Sequence, residues 1–326
     1  INDLTNLQNL FCDNNQIESL NGITDLTNLK RVSCDANQIE SLEEINNLTN
    51  LEELYCNNNQ IKSLEHLINL TNLKKLFCNY NQLECLEGIN KLNKLQIFYC
   101  TNNKIKSLEK INYLIELERL SCDNNQIESL EEINNLANLK LLSCDNNQIR
   151  SLEGINYLIE LKLLSCDNNQ IESLKEINNL TNLEELSCKN NQITSLEHLN
   201  NLTNLKKILC DYNQIKSLES LNKLIKLEEL YCSHNKIQSL NGITNLTNLK
   251  IFSCNTNQIE SLEGINNLIN LRQFDCQNNQ IKSLIYINNN LKDLEIIYCS
   301  NNQIQSLEGI TELKNLKRIL KVVIFI

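Results

Sequence analysis

Cysteine is the residue of this chain best placed to do chemistry, and its spacing is regular enough to ask which chemistry. It stands at 12, 34, 56, 78, 100, 122, 144, 166, 188, 210, 232, 254 and 276, each 22 residues after the last, and then at 299 after a step of 23. Thiols in register could close disulfides or, as thiolates, hold a soft metal ion. Both uses need convergence. A zinc site draws on Cys pairs roughly two to four residues apart, and no Cys-x-x-Cys occurs here. A disulfide needs side chains turned toward one another, whereas equivalent positions on neighbouring parallel strands point the same way about 4.8 Å apart. The total of fifteen is odd, which fits poorly with a secreted disulfide framework. The column is therefore expected to pack as a small hydrophobe in a core. Cys85 stands outside it, replacing the Ser found at that slot in every other complete copy (Ser19, Ser41, Ser63 and onward), as a tolerated small substitution.

The other chemically capable residues also lack a constellation. His66, His198 and His234 are the only histidines, and the first two fill a slot that elsewhere holds Gly, Glu, Lys, Ser or Tyr. A slot that accepts so many types is expected to be exposed and undemanding. No Gly-rich phosphate loop or nucleophile motif occurs, so the chain is expected not to be an enzyme, with no catalytic residue, no cofactor and no metal. Asn47, Asn69, Asn179, Asn201 and Asn245 open Asn-Leu-Thr triplets that match the glycosylation pattern. The cysteine usage points instead to a reducing, cytoplasmic setting, in which they stay unmodified. Asp123, Asp145 and Asp167 run in file with Ser121, Ser143 and Ser165, flanked by Leu141 and Leu163. Carboxylates about 5 Å apart repel mildly, and a basic partner strip could relieve that. A solvated, duplicated surface explains them equally well.

The elements that position these residues follow from the repeat. One copy has Leu7, Leu10, Cys12, Asn15, Ile17, Leu20, Ile23 and Leu26, and Leu29 opens the next. The step of two from Leu10 to Cys12 is the period of a half-buried strand. The steps of three from Ile17 to Leu29 suit a tight 3₁₀ turn or an extended three-fold coil better than an α-helix. One such unit cannot bury its own apolar edge, so copies must stack and their strands must lie side by side in a parallel sheet. The Asn column at 15, 37, 59 and 81 sits where the chain leaves the strand, where a buried amide can bond the backbone of adjacent turns. The Ser before Leu20 and Leu42 is expected to cap the following tight turn.

The pattern Leu-x-x-Leu-x-Cys-x-x-Asn-x-Ile resembles the leucine-rich-repeat signature, with Cys where Leu is usual. The length of 22 and the phrases Leu26-Thr27-Asn28-Leu29 and Asn37-Gln38-Ile39 are most similar to the internalin-like and phosphatase-regulator class. The resemblance implies protein binding as the shared activity. The expected fold is an α/β solenoid, a horseshoe or gently curved arc. One parallel β-sheet lines its concave face, and 3₁₀ or extended segments form its convex face. Residues 1–326 are expected to form a single domain of about fourteen complete copies, with a ragged N-terminal half copy and a degenerate last copy at 316–326. There Lys321 stands at the Cys position and Ile324 at the Asn position, and Val322 to Ile326 could form a covering strand or an exposed edge. Ile1 falls part-way through a copy and no Met occurs, so the N-terminus is expected to be trimmed or incomplete.

The net charge is −10 and there is no basic stripe, which argues against a nucleic-acid partner. The longest uninterrupted apolar stretch is Val322 to Ile326, far short of the roughly 20 residues that span a bilayer. The expected partner is a protein, taken by a monomer on the outward face of the sheet. Most outward positions are polar, and the exceptions mark the candidates: Tyr55, Phe77, Tyr80, Ile97 and Tyr99, then Leu209, Tyr212, Tyr231 and His234. Exposed rings of this size are what interfaces use as anchors. The two groups are related, because Asn47 to Leu108 and Asn179 to Leu240 are near copies offset by 132 residues. That duplication points to an extended or bivalent partner, or else to slippage that copies residues regardless of use. The leading reading is a non-catalytic protein-binding scaffold. The alternatives are a secreted or surface adhesin resembling internalins and the recognition arm of a larger enzyme.

Overall fold

The computed structural model describes residues 4–320, so the expectations for Lys321 to Ile326 lie outside the described residues. The chain falls into two compact units that divide between Asn169 and Gln170. In the first unit the strands are β1 (Asn9–Phe11), β2 (Arg31–Ser33), β3 (Glu53–Tyr55), β4 (Lys75–Phe77), β5 (Ile97–Tyr99), β6 (Arg119–Ser121), β7 (Leu141–Ser143) and β8 (Leu163–Ser165). Each pairs in parallel with the next, one copy on, so that Tyr55 faces Phe77 and Phe77 faces Tyr99. The second unit holds β9 (Glu185–Ser187), β10 (Lys207–Leu209), β11 (Glu229–Tyr231), β12 (Ile251–Ser253), β13 (Gln273–Asp275), β14 (Ile296–Tyr298) and β15 (Arg318–Leu320), paired in the same way. The one 23-residue step does not disturb it. Gln273 pairs with Ile296, and the added residue is taken up at 288–290, where the Asn290 amide donates to Asn288 Oδ1 at 3.0 Å.

The expected architecture is borne out, with one short parallel strand per copy and a return made of 3₁₀ turns and extended backbone. No α-helix occurs among the described residues. In each strand the middle residue points into the core and its neighbours point out, as Leu54, Leu76 and Phe98 at 0% exposure illustrate. Leu and Ile at every third position of the return, such as Ile61, Leu64, Leu67, Leu70 and Leu73, are likewise fully buried. This apolar interior is shared between neighbouring coils, so no copy could hold its shape alone.

The Asn column solves the polar problem that such an interior creates. Asn59 Nδ2 donates to the carbonyls of Cys34, Cys56 and Asn57 at 3.0, 3.3 and 3.1 Å. Its Oδ1 accepts the Ile39 amide at 3.0 Å. One side chain therefore satisfies backbone groups of two coils within the buried interior. The Ser column caps as expected, with Ser41 Oγ accepting the Glu43 amide at 3.1 Å.

The slot that sequence alone marks as undemanding has two distinct conformations. Where it holds Glu or His, a 3₁₀ turn runs through it, as over Glu43–Ile45 and Glu65–Leu67. Where it holds Gly, the backbone turns left-handed, and Gly88 has φ 95°. A Cβ on Gly88 would lie 2.2 Å from the Leu64 carbonyl oxygen, so this form admits Gly for a steric reason. Lys110 is the exception, held at φ 74° with its Nζ 2.9 Å from Glu109 Oε1.

Candidate binding face

The cysteines are free, and all are buried except the half-buried Cys12 and the exposed Cys85. Within the core the thiols of Cys34, Cys56, Cys78, Cys100 and others point along the stack toward a carbonyl of the next coil, as Cys56 Sγ does to Phe77 O at 3.4 Å. Burial pushes the Cys56 and Cys78 thiols well above their usual range, which removes the thiolate needed for nucleophilic or ligand chemistry. Among the described residues no three His, Cys, Asp or Glu side chains converge on a point that could hold a metal ion.

In the first unit the outward positions of β3, β4 and β5 gather the predicted residues into one row. Tyr55 and Phe77 stack with ring centroids 4.8 Å apart and planes within 5°. Tyr99 meets Phe77 edge-on at 5.1 Å and 88°. Ile97 is half-buried on β5 beside Lys75. The row is tethered at one end by Glu53, which takes Arg31 Nε at 2.7 Å, Lys75 Nζ at 3.1 Å and the Tyr55 hydroxyl at 3.0 Å. Burial alone would raise the Glu53 carboxyl, but hydrogen bonds from Arg31, Lys75 and Tyr55 outweigh it and bring the group down to about 2. Rings held this way lose little freedom on meeting a partner.

Tyr80 stands at the turn after β4, 57% exposed, at φ 55°. Most copies place Asn at this left-handed position, where its short amide tolerates a conformation that costs other side chains about 1–2 kcal/mol. Phe11, absent from the residues expected to bind, is 61% exposed and occupies the same outward strand position as Tyr55, two copies earlier. The repeat period alone would have placed it there.

In the second unit Leu209 and Tyr231 are half-buried neighbours on β10 and β11. Here the stack is at the turns, where Tyr212 and His234 lie 4.1 Å apart with planes within 8°. Both are left-handed, at φ 56° and 55°. Lys207 Nζ pairs with Glu229 Oε2 at 2.9 Å beside them.

The aspartate file turns out to be tied into the scaffold. Asp123 Oδ1 accepts the Ser143 hydroxyl at 2.7 Å and the Asp145 amide at 2.8 Å. Asp145 Oδ1 accepts the Ser165 hydroxyl at 2.8 Å and the Asp167 amide at 2.7 Å. Burial, with the Asp167 and Asp123 charges adding, outweighs these bonds and pushes the Asp145 carboxyl up to about 6. Asn57 does the same work without charge, accepting the Asn79 amide at 2.9 Å. Asp123 and Asp145 thus each have an internal structural partner in the next coil.

The repeat profile described as "Leucine Rich repeats (2 copies)" matches residues 5–113, 115–157, 159–267 and 269–315 in overlapping pairs. No curated protein matches the chain. Among solved structures it is similar to a leucine-rich-repeat protein of Leptospira interrogans, at 30% identity and a TM-score of 0.91 over 98% of this chain and 85% of that one. It is also similar to an internalin from Listeria monocytogenes, at 25% identity and a TM-score of 0.83, covering 98% and 89%. The fold extends to the ectodomain of a plant membrane receptor kinase from Arabidopsis thaliana, solved in complex with Casparian strip integrity factor 2. That likeness is 21% identical with a TM-score of 0.70, covering 98% of this chain and 47% of that one.

Proposed function

This chain belongs to the leucine-rich-repeat family, and from that premise we propose that it is a non-catalytic scaffold that binds a protein partner on the outward sheet face. The observation that supports this reading is the row Tyr55–Phe77–Tyr99, stacked ring on ring and anchored through Glu53. Tyr80 and Ile97 widen it, and Leu209, Tyr212, Tyr231 and His234 form a second, smaller contact. The plant receptor ectodomain, solved with a bound factor, lends support at the level of the fold. In this reading residues 1–326 form one repeat domain, monomeric and housed in a reducing compartment, to which the free thiols lend support.

A second reading, a surface adhesin, is favoured by the likeness to an internalin. Titration of thiols on protein taken from its native source separates the two, because bridged or capped cysteines argue for an oxidising compartment.

The binding face is tested by replacing Tyr55, Phe77 and Tyr99 with Ser. The variant should lose partner capture from lysate of the source cell while its circular dichroism spectrum stays that of the parent. Capture that survives the triple change removes this face from consideration.

A further inference from the structure

Ile111 to Leu117 reads Ile-Asn-Tyr-Leu-Ile-Glu-Leu, and the same seven residues return at Ile155 to Leu161. Elsewhere the slot of Ile115 commonly holds Thr, as at Thr49, Thr71 and Thr181, although Ile225 and Ile269 also stand there, and the slot of Tyr113 is polar, as at Asp25, Asn47, Asn69 and Lys91. Three consecutive coils of the first unit depart from that polar phrase, because Ala137 takes the slot between Ile115 and Ile159. None of these side chains serves the core. Tyr113 is 54% exposed, Ile115 57%, Tyr157 64% and Ile159 54%, while the intervening Leu114 and Leu158 are 0%.

The backbone explains the arrangement. After the 3₁₀ turn Ile111–Tyr113, Leu114 adopts φ −84°, ψ 59° and the Ile115 amide donates back to the Tyr113 carbonyl at 3.0 Å. Leu158 repeats this at φ −82°, ψ 58°, with Ile159 donating to Tyr157 at 2.9 Å. Such an inverse γ-turn buries its central Leu and leaves the residues on either side outside. In the middle coil the same positions hold Asn135 and Ala137, both exposed and smaller. Two Tyr/Ile pairs therefore flank a low floor.

We propose that this patch on the return side of the first unit is a second docking site, and that its occupant is a basic amphipathic helix of a partner protein. A helix laid along the stack, across the three coils, presents apolar side chains at i, i+4 and i+7 about every 5–6 Å along its axis, close to the strand spacing of about 4.8 Å per coil that separates Ile115, Ala137 and Ile159. Charge selects the sign of the partner. The exposed Glu131 and Glu153 precede the apolar positions in their coils and the exposed Glu116 and Glu160 follow them. These four make no ion pair among the described residues. Of the nearby cations, Lys110 is paired with Glu109 and Lys140 with Glu118, Lys94 of the preceding coil donates to Asn72 Oδ1 at 2.8 Å, and Lys162 is exposed beyond Glu160, so carboxylates still outnumber unpaired lysines at the patch. Lys or Arg flanking an apolar stripe would meet these carboxylates; an acidic helix would be repelled.

The test uses the full chain and a fluorescent helical probe of Leu and Lys, about 14 residues long with its Leu on one face. Anisotropy titration in about 0.15 M salt should show saturable binding. Tyr113→Ser with Tyr157→Ser should weaken it by about tenfold or more. Glu116→Gln with Glu160→Gln should weaken it several-fold and flatten its salt dependence. The variant with Ser at 55, 77 and 99 should bind the probe as the parent does. Binding unchanged by the Tyr113 and Tyr157 substitutions overturns the proposal, as does equal binding of a Leu/Glu probe. Loss of binding in the sheet-face variant also overturns it. Self-association in sedimentation that the same Tyr substitutions abolish would make a second copy the occupant and would likewise overturn it.

Discussion

The segments around β3–β5 and β9–β11 are two versions of one stretch of sequence, and they present different surfaces on the same frame. In the first, Tyr55, Phe77 and Tyr99 follow one another along the strand column and stack. In the second, Ser187 and Leu209 interrupt that column, and the stack forms instead at the turns, between Tyr212 and His234. The backbone register is the same in both, since Phe77 faces Tyr99 as Leu209 faces Tyr231. The frame is thus indifferent to what the outward column holds. Whether rings meet depends only on which side chains occupy equivalent slots of successive coils.

If the frame is common to both segments, breaking it should cost the same in each. Asn81 Oδ1 accepts the Ile61 amide at 3.0 Å, and its Nδ2 donates to Cys56 O at 2.9 Å and Cys78 O at 3.1 Å. Asn213 accepts from Ile193 at 3.0 Å and donates to Cys188 O at 2.9 Å and Cys210 O at 3.2 Å. Asn81→Ala and Asn213→Ala should each lower stability by about 2–3 kcal/mol in urea denaturation, because each leaves buried backbone groups unpaired. A difference between them larger than about 1 kcal/mol, beyond ordinary non-additivity, would mean that the two frames are not equivalent.

The aromatic row should differ from its copy in its dependence on acid. Glu53 is held at about 2, against an ordinary 4.5. A depressed carboxyl stabilises the fold above pH 4.5, and that contribution is lost as the pH falls toward 2. Discounted for solvent screening, it amounts to about 1–2 kcal/mol. Glu53→Gln should therefore destabilise the protein at neutral pH and remove this part of the loss between pH 4.5 and 2. A stability profile that Glu53→Gln leaves unchanged across that window would show that the tether does not hold the row.

The smallest expected effect separates the two turn-borne tyrosines. Tyr80→Asn should stabilise by about 0.5–1 kcal/mol, because Asn tolerates the left-handed conformation. Tyr212→Asn should gain less, since it also gives up the stacking on His234. Thermal melts of the two variants rank them, and a larger gain for Tyr212→Asn would reverse the comparison.

Much of this was legible in the sequence. The 22-residue period specified the coil, steps of two and three separated strand from return, and polar identity at one slot in the apolar run identified the Asn ladder. Period also sorted side chains into inward and outward, which is why Tyr55, Phe77 and Tyr99 could be grouped without coordinates, and why Phe11 could have been. These features are decided within one copy, and a repeating chain states them many times over.

What depended on the tertiary structure involves contacts between copies. A slot that looked permissive proved to hold two backbone conformations, one of which a Cβ at Gly88 would drive into the Leu64 carbonyl of the preceding coil. Of the aspartates that looked mutually repulsive, Asp123 and Asp145 each accept the next coil's amide. The choice between a parallel and an edge-on ring pair, and the outward turn of Tyr113 and Tyr157, depended on backbone angles and neighbours in adjacent coils. Periodicity reports which way a residue faces. It is silent on what stands beside that residue about 5 Å away in space and 22 positions away in the chain, and there the short-range forces of packing and hydrogen bonding decide.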